Sequence, residues 1–409
     1  MKPTILVATT SRWLPTARLA AAFTDAGFVT EAICPPRHPL CKTKNVHRIH
    51  LYRGLTPLAS FADAIAAAKP DMIIPGDDLA TQHLHSLYYQ EQQAGSKTSL
   101  CELIERSLGA PDSFPIVTAR AAFIKLAEGE GVRVPETEFV ANPRELRKWI
   151  NSIGLPAVLK ANGTTGGVGV RIVQTLEEAE RAFRALHAPP LLARATKRAV
   201  VDKDMTLIWP SLFRRRHLVN AQKFVPGHEA TSLVACWKGA VLANLHFEVL
   251  NKWDSTGPST VLRLIDHPEM STATETMARR LQLSGLHGFD FLLEAGTSNA
   301  YLIEINPRAT QVGHLTLGAG RDLPAALYAA VSGQPIREAP KVTAKDTIAL
   351  FPQEWLRNPA SVFLHLGYHD VPWEEPDWIK AAVESRKKWT SSYPHLEWNH
   401  ILSKARRTL

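Results

Sequence analysis

The stretch Gly288–Arg308 reads GFDFLLEAGTSNAYLIEINPR, with apolar runs from Phe289 to Leu293 and from Tyr301 to Ile305 on either side of Gly296-Thr297-Ser298-Asn299. Short apolar runs separated by small polar residues predict two strands joined by a tight turn. With Thr297 at the centre of that turn, Asp290 faces Glu304 and Gly288 faces Asn306. Strand side chains alternate between faces. Asp290, Glu304 and Asn306 therefore share one face, and Phe289, Phe291, Tyr301, Ile303 and Ile305 share the other, the core face. Opposed carboxylates about 5 Å apart repel one another unless a cation lies between them. Oxygen ligands of this kind suit Mg2+ (or Mn2+), which takes a few carboxylates together with substrate phosphates. A surface hairpin that carries acids and no ligand is the plain alternative.

The surrounding chain has 409 residues, 45% of them hydrophobic, enough for two or three domains of ordinary globular composition. Its four cysteines, Cys34, Cys41, Cys101 and Cys236, form no CxxC pair and no metal spacing, so they read as reduced thiols in a cytoplasmic protein. Neither a signal peptide nor a transmembrane run is evident. A formal charge of +8 permits contact with nucleic acid or anionic substrates, but no recognition helix or aromatic-basic RNA motif accompanies it. A basic enzyme is favoured over a nucleic-acid binder.

The first unit, to about residue 112, alternates buried-strand candidates (residues 4–8, 28–33 and 72–74) with helical patterns over 14–26 and 58–68. That alternation predicts a parallel α/β layer. Ligands in such layers sit beyond the carboxyl ends of the strands, which makes Thr9, Thr10, Ser11, Arg12 and the Gly76-Asp77-Asp78 turn candidates for a non-nucleotide substrate, with helix capping as the alternative. No GxGxxG follows the first strand, so a dinucleotide is disfavoured.

Further on, a strand ending in Lys160 runs into Ala161 to Val170, where Gly163, Gly166, Gly167 and Gly169 free the backbone to fold over phosphates and present N–H donors. Lys160 adds a point charge. No Gly-Lys-Ser/Thr follows, so this is no P-loop, and the loop enters a strand at Val170 rather than the helix of a Rossmann fingerprint.

Glu304-Ile305-Asn306-Pro307-Arg308, following an aspartate-bearing apolar strand, resembles the metal-binding end of the ATP-grasp superfamily, and the Lys160 loop resembles its phosphate-covering lid. The resemblance covers roughly residues 1–335. It implies an α/β fold with a Rossmann-like N-terminal domain (1–112), an ATP-grasp domain (113–335) made of a small lid (about 155–222) and a larger antiparallel α+β part, and a C-terminal extension (336–409). It implies ATP with Mg2+ on Asp290, Glu304 and Asn306, and phosphate held by Lys160, Gly166, Gly167 and Arg120, the last standing where lysine is more usual. Adenine is expected at Gln222, Lys223 and Val225. Glu229, seven positions beyond Gln222, is expected on the ribose hydroxyls, since a carboxylate accepts two hydrogen bonds. Arg263, after the Ser255–Thr260 loop, and Arg308 are expected beside the transferred phosphoryl group.

The implied activity is that of an ADP-forming ligase: a small carboxylate, activated as an acyl phosphate, is attacked by an amine, with amino acids among the candidate substrates and a homodimer as a candidate assembly. Carboxylation through carboxyphosphate and an ATP-binding module without catalysis are the alternatives. The tail beyond 336 lies outside the resemblance and holds five of the ten tryptophans, Trp355, Trp373, Trp378, Trp389 and Trp398. Packing of these onto the body is favoured over a single-stranded nucleic-acid surface built with Arg386-Lys387-Lys388.

Overall fold

A computed structural model describes residues 2–387 apart from 96–97, 163–168, 190–195, 197–210, 214–215, 256 and 338. The apolar runs at the start of the chain form a four-stranded parallel sheet, β1 (Thr4–Ala8), β2 (Val29–Cys34), β3 (Arg48–Leu51) and β4 (Met72–Pro75), in the order β3-β2-β1-β4. Ile5, Leu6, Val7 and Ala8 are all buried, because helices cover both faces of a parallel layer and its central strand must be apolar throughout. The edge strand β3, RIHL, lacked such a run and escaped the sequence reading, as did the helices Asp78–Gln93 and Ser99–Leu108. Asp77 caps the first of these helices, its side chain accepting from Ala80 N.

The second sheet is antiparallel, β5 (Thr137–Val140), β6 (Ala157–Ala161), β7 (Val170–Val173) and β8 (Val219–Lys223), in the order β5-β8-β6-β7. Its extent differs from the expected lid of about 155–222, since β5 and the helix Pro143–Ile153 also belong to it. Leu146, Trp149 and Ile150 of that helix pack with Leu159, Phe183 and Val219 in one core, so the unit cannot close without them.

The third sheet has seven strands, β9 (Gly227–Trp237), β10 (Ala240–Lys252), β11 (Ser259–Leu264), β12 (Gly285–Glu294), β13 (Ala300–Asn306), β14 (Thr347–Ala349) and β15 (Tyr368–His369). They lie in the order β13-β12-β9-β10-β11-β14-β15. The last two come from the stretch expected as a C-terminal extension, which instead continues the main sheet. Trp355 and Trp378 are buried in the core that also takes in Ile5, Phe23 and Leu262, whereas Trp373 is exposed. Trp389, Trp398 and Lys388 lie outside the described residues, as do Arg214 and Arg215. Among the described residues no helix is long and apolar enough to cross a membrane.

The β12–β13 hairpin has the expected register at its base, with Gly288 opposite Asn306 and Asp290 opposite Glu304. Nearer the turn the expectation fails. A bulge falls between these pairs and the next, so Phe291 meets Leu302 and Leu292 meets Tyr301. One extra residue on β13, Ile303, shifts every later side chain to the other face. Leu302 and Ala300 consequently join Phe289, Phe291 and Ile305 in the core, and Tyr301 shares the acidic face with Leu292.

Candidate functional site

The acidic face at the base of this hairpin is a connected network. Asn306 donates from Nδ2 to Asp290 Oδ2 at 2.9 Å, and Thr231 of the neighbouring strand β9 donates to Asp290 Oδ1 at 2.9 Å. Glu304 accepts from Arg120 Nη2 at 2.5 Å; Arg120 opens the helix Arg120–Gly129, whose Phe123 packs on Phe289. Burial, with Glu304 close by, raises the Asp290 carboxyl to about 6. Two carboxylates crowded in this way favour a bound cation over two ionised neighbours. Among the described residues no group of three or more His, Cys, Asp and Glu could hold a metal alone. Two carboxylates and an amide suit Mg2+, whose remaining positions are filled by water and substrate phosphates.

Arg120 supplies the test for a polyanion. Its Nε and Nη1 are buried and have no hydrogen-bond partner among the described residues, although a guanidinium carries five donors. Buried donors without acceptors are costly, and phosphate oxygens are the acceptors that a guanidinium fork fits. Lys160 reaches the same region from β6. It is 6% exposed, and burial followed by the charge of Arg120 lowers its ammonium to about 8, against the pull of Glu304, Asp290 and Glu229. Asn220 lies opposite Lys160 and Gln222 opposite Val158, so Lys160, Asn220 and Gln222 present their side chains on one face of the lid sheet. The other face, with Leu159, Val219 and Ala221, belongs to the lid core. Asn220 Oδ1 is also buried and has no partner among the described residues, a further acceptor that the sequence did not reveal. Gly166 and Gly167 lie outside the described residues.

Along the connection from lid to main sheet, Gln222 donates to Thr137 at 2.9 Å, Lys223 pairs with Glu136 at 2.8 Å, and Val225 is buried. The crevice beside them is about 540 Å3 and is lined by Lys223, Val225, Pro226, Arg133, Glu294 and Tyr301. Gly227 is required by close approach: a Cβ there would stand 2.0 Å from the Leu293 carbonyl oxygen. Glu229 lies opposite Leu292 on the same face as Thr231 and Asp290, and it is held by Lys252 Nζ at 2.6 Å. Thr231 was legible in principle, being two residues past Glu229 on the same strand face.

Two expectations change. Arg263 lies in register with Glu248, Ala230 and Phe291, whereas Asp290 lies in register with Thr231, Phe247 and Leu264. Alternation therefore places Arg263 on the opposite side of the sheet from Asp290, where it pairs with Glu248. The structure does not bring Arg263 to the acidic cluster. The candidates Thr9, Thr10 and Ser11 are turned inward on Asp77, which accepts from Thr9 Oγ1 at 2.6 Å, Thr10 N at 2.6 Å, Thr10 Oγ1 at 2.8 Å and Ser11 N at 3.2 Å. Asp77 closes a loop and caps a helix. Its neighbour Asp78 accepts from Arg308 Nε at 2.9 Å, while Arg308 Nη2 donates to Asn306 Oδ1 at 3.2 Å.

Residues 119–320 match the family model of the carbamoyl-phosphate synthase L chain, ATP binding domain. In backbone, the chain is similar to N5-carboxyaminoimidazole synthetase from Staphylococcus aureus complexed with ADP, with a TM-score of 0.58 at 14% identity, covering 83% of this chain and 80% of that one. Residues 119–320 thus carry an ATP-grasp domain. The chain is also similar to the biotin carboxylase domain of Hydrogenobacter thermophilus 2-oxoglutarate carboxylase, solved with MgADP, ADP and bicarbonate (TM-score 0.57, 16% identity, 82% of this chain and 71% of that one). Its curated relatives include the formate-dependent phosphoribosylglycinamide formyltransferase of Synechococcus sp. (strain CC9902), 24% identical over 283 residues, 64% of this chain and 59% of that protein. Another is the arginine-specific carbamoyl phosphate synthase large chain of Bacillus subtilis, 26% identical over 180 residues, 44% of this chain and 16% of that protein. The chain thus spans a small part of the Bacillus protein and over half of the Synechococcus one.

Proposed function

We propose that this ATP-grasp protein is an ADP-forming ligase that activates a small carboxylate as an acyl phosphate for attack by an amine. The observation that carries the reading is the convergence of Arg120, with two buried donors lacking acceptors, and Lys160 on the Asp290–Glu304–Asn306 face. In this reading Arg120 and Lys160 hold the polyphosphate, Asp290, Glu304 and Asn306 hold Mg2+, Gln222, Lys223 and Val225 border adenine, and Glu229 takes the ribose after leaving Lys252. Mg2+, when bound, offsets charge on the terminal phosphates. Arg308 orients Asn306 and adds positive charge near the γ-phosphate. Arg263 has no part.

The chemistry is a problem of repulsion between anions, which preorganised cations offset. A carboxylate oxygen attacks the γ-phosphorus and ADP departs. The amine nitrogen then attacks the acyl carbon, phosphate departs, and the nitrogen loses a proton to give the amide.

The test is ADP release from ATP with a panel of carboxylates and amines, including amino acids singly and in pairs, with mass detection of products. Amide product with ADP and phosphate is expected; AMP and pyrophosphate throughout the panel would overturn the reading. Bicarbonate belongs in the panel because one protein of similar fold was solved with it, and bicarbonate-dependent ADP release without an added acid would support carboxylation through carboxyphosphate. We place the protein in the cytoplasm. A homodimer accords with the dimeric form of that same neighbour.

A further inference from the structure

Arg308 is the cation whose position most needs explaining, since it stands next to the two carboxylates meant for Mg2+. Its side chain is only 17% exposed, and Asp290 is among the charges acting on it. A guanidinium pairs bidentately with a carboxylate when nothing prevents it, and such a pair at Asp290 would occupy the metal's ligand.

The structure shows what prevents it. Arg308 Nε donates to Asp78 Oδ1 at 2.9 Å, and Asp78 comes from the N-terminal layer, in the first turn of the helix Asp78–Gln93. Two hydrogen bonds to backbone carbonyls fix that corner against the hairpin exit: Thr81 Oγ1 donates to Pro307 O at 2.8 Å, and Ala309 N donates to Pro75 O at 2.9 Å. Arg308 Nη1 is taken by Ala309 O at 3.2 Å and Nη2 by Asn306 Oδ1 at 3.2 Å. The last contact sets the orientation of Asn306, whose Nδ2 is the atom that reaches Asp290.

We infer that Asp78 is a positioning residue of the metal site: it holds Arg308 away from Asp290, so that the carboxylates stay available to a divalent cation. This deepens the ligase reading and rests on it for the presence of a metal nucleotide. In this reading Asp78 is no ligand of the metal or the nucleotide. It acts through Arg308.

The test is binding of Mn2+ with ADP to the full chain, followed by the paramagnetic signal of free Mn2+ and by calorimetry, for the unaltered protein, Asp78→Ala, Arg308→Met and the double variant. With Asp78→Ala, Arg308 turns to Asp290 and Mn2+ affinity falls about tenfold, the scale of one charge-assisted hydrogen bond. In the double variant the competitor is gone and affinity returns to within about threefold of the Arg308→Met value, a coupling that a double-mutant cycle reads directly. Unchanged affinity in Asp78→Ala overturns the inference, and so does a double variant as weak as Asp78→Ala. An Asp78→Ala protein that fails to fold still leaves the double variant, which carries neither charge; tight Mn2+ binding there supports competition and weak binding overturns it. Absence of Mn2+·ADP binding to the unaltered protein would remove the nucleotide reading itself, a result distinct from either of the others.

Discussion

Arg120 and Glu304, 184 positions apart in the chain, meet through an Nη2–Oε1 bond of 2.5 Å, while Nε and Nη1 of the same guanidinium remain buried without acceptors among the described residues. One edge of Arg120 is thus fixed to β13, the strand of Glu304 and Asn306, and the rest is free to meet an anion beside it. Arg120→Met is expected to weaken ADP binding about 10- to 100-fold, the range for losing one or two charge-assisted hydrogen bonds. Calorimetric titration with MgADP measures it; unchanged affinity would show that the free donors do not meet phosphate.

Glu304→Ala removes a proposed metal ligand and the carboxylate partner of Arg120. ADP release is expected to fall by at least about 10²-fold, as for other losses of preorganised electrostatic stabilisation. Preserved turnover in a steady-state assay would dismiss the assigned metal site, and a protein with no turnover to lose would point to a binding module.

The binding of metal nucleotide should have two pH limbs. Asp290 is raised to about 6, so protonation below that value competes with the cation; Lys160 is lowered to about 8, so its charge, and its hold on phosphate, is lost above it. Affinity for MgADP is therefore expected to be greatest between about pH 6 and pH 8, and Lys160→Arg should remove the alkaline limb. Stability of the free protein runs differently. A lysine lowered in the folded state binds fewer protons there than in the unfolded chain between about pH 8 and its ordinary value, so Lys160 makes stability rise with pH across that window. Asp290, raised in the folded state, makes stability fall as pH rises from its ordinary value to about 6. Denaturant titrations at several pH values, compared with Lys160→Met and Asp290→Asn, separate these contributions.

Arg263 and Glu248 form a partly exposed pair on the far side of the main sheet. Arg263→Met is expected to cost at most about 1 kcal/mol of stability, as exposed pairs do, and to change ADP release less than threefold. A loss of turnover comparable to that in Glu304→Ala would restore Arg263 to the site.

Asp370 joins three parts of the chain: Arg18 Nη2 donates to its Oδ1 at 2.8 Å and His314 Nε2 lies 2.7 Å from its Oδ2, with all three side chains largely buried. Asp370→Asn leaves the Arg18 charge uncompensated and should lower stability by about 3–5 kcal/mol, seen as a shift in the denaturation midpoint. Trp378→Ala, in the same C-terminal segment, should cost about 3–5 kcal/mol through the cavity it leaves, whereas exposed Trp373→Ala should stay within about 0.5 kcal/mol.

Patterns of short range were legible in the chain. With the turn centred on Thr297, the alternation in 288–308 pairs Asp290 with Glu304 and puts Phe289 and Phe291 on the other, buried face. The apolar run at 4–8, the helix from Pro15 with its glycine stop and the strand ending at Lys160 follow from the same local rules. What the sequence could not determine were relations set by packing between distant segments. The bulge at Ile303 moves Tyr301 to the acidic face, because the fit of Leu302 and Ala300 into the core outweighs strict alternation. The side of the sheet on which Arg263 falls depends on its register through β10 and β9, which no local pattern specifies. Asp78 is read from sequence as one of two turn acids open to substrate; only the approach of the N-terminal layer to the hairpin exit makes it the partner of Arg308. Local side-chain chemistry could name the hairpin and the acids it brings together, and the tertiary structure decided which charges stand beside them, because an ion pair is a property of distance in space.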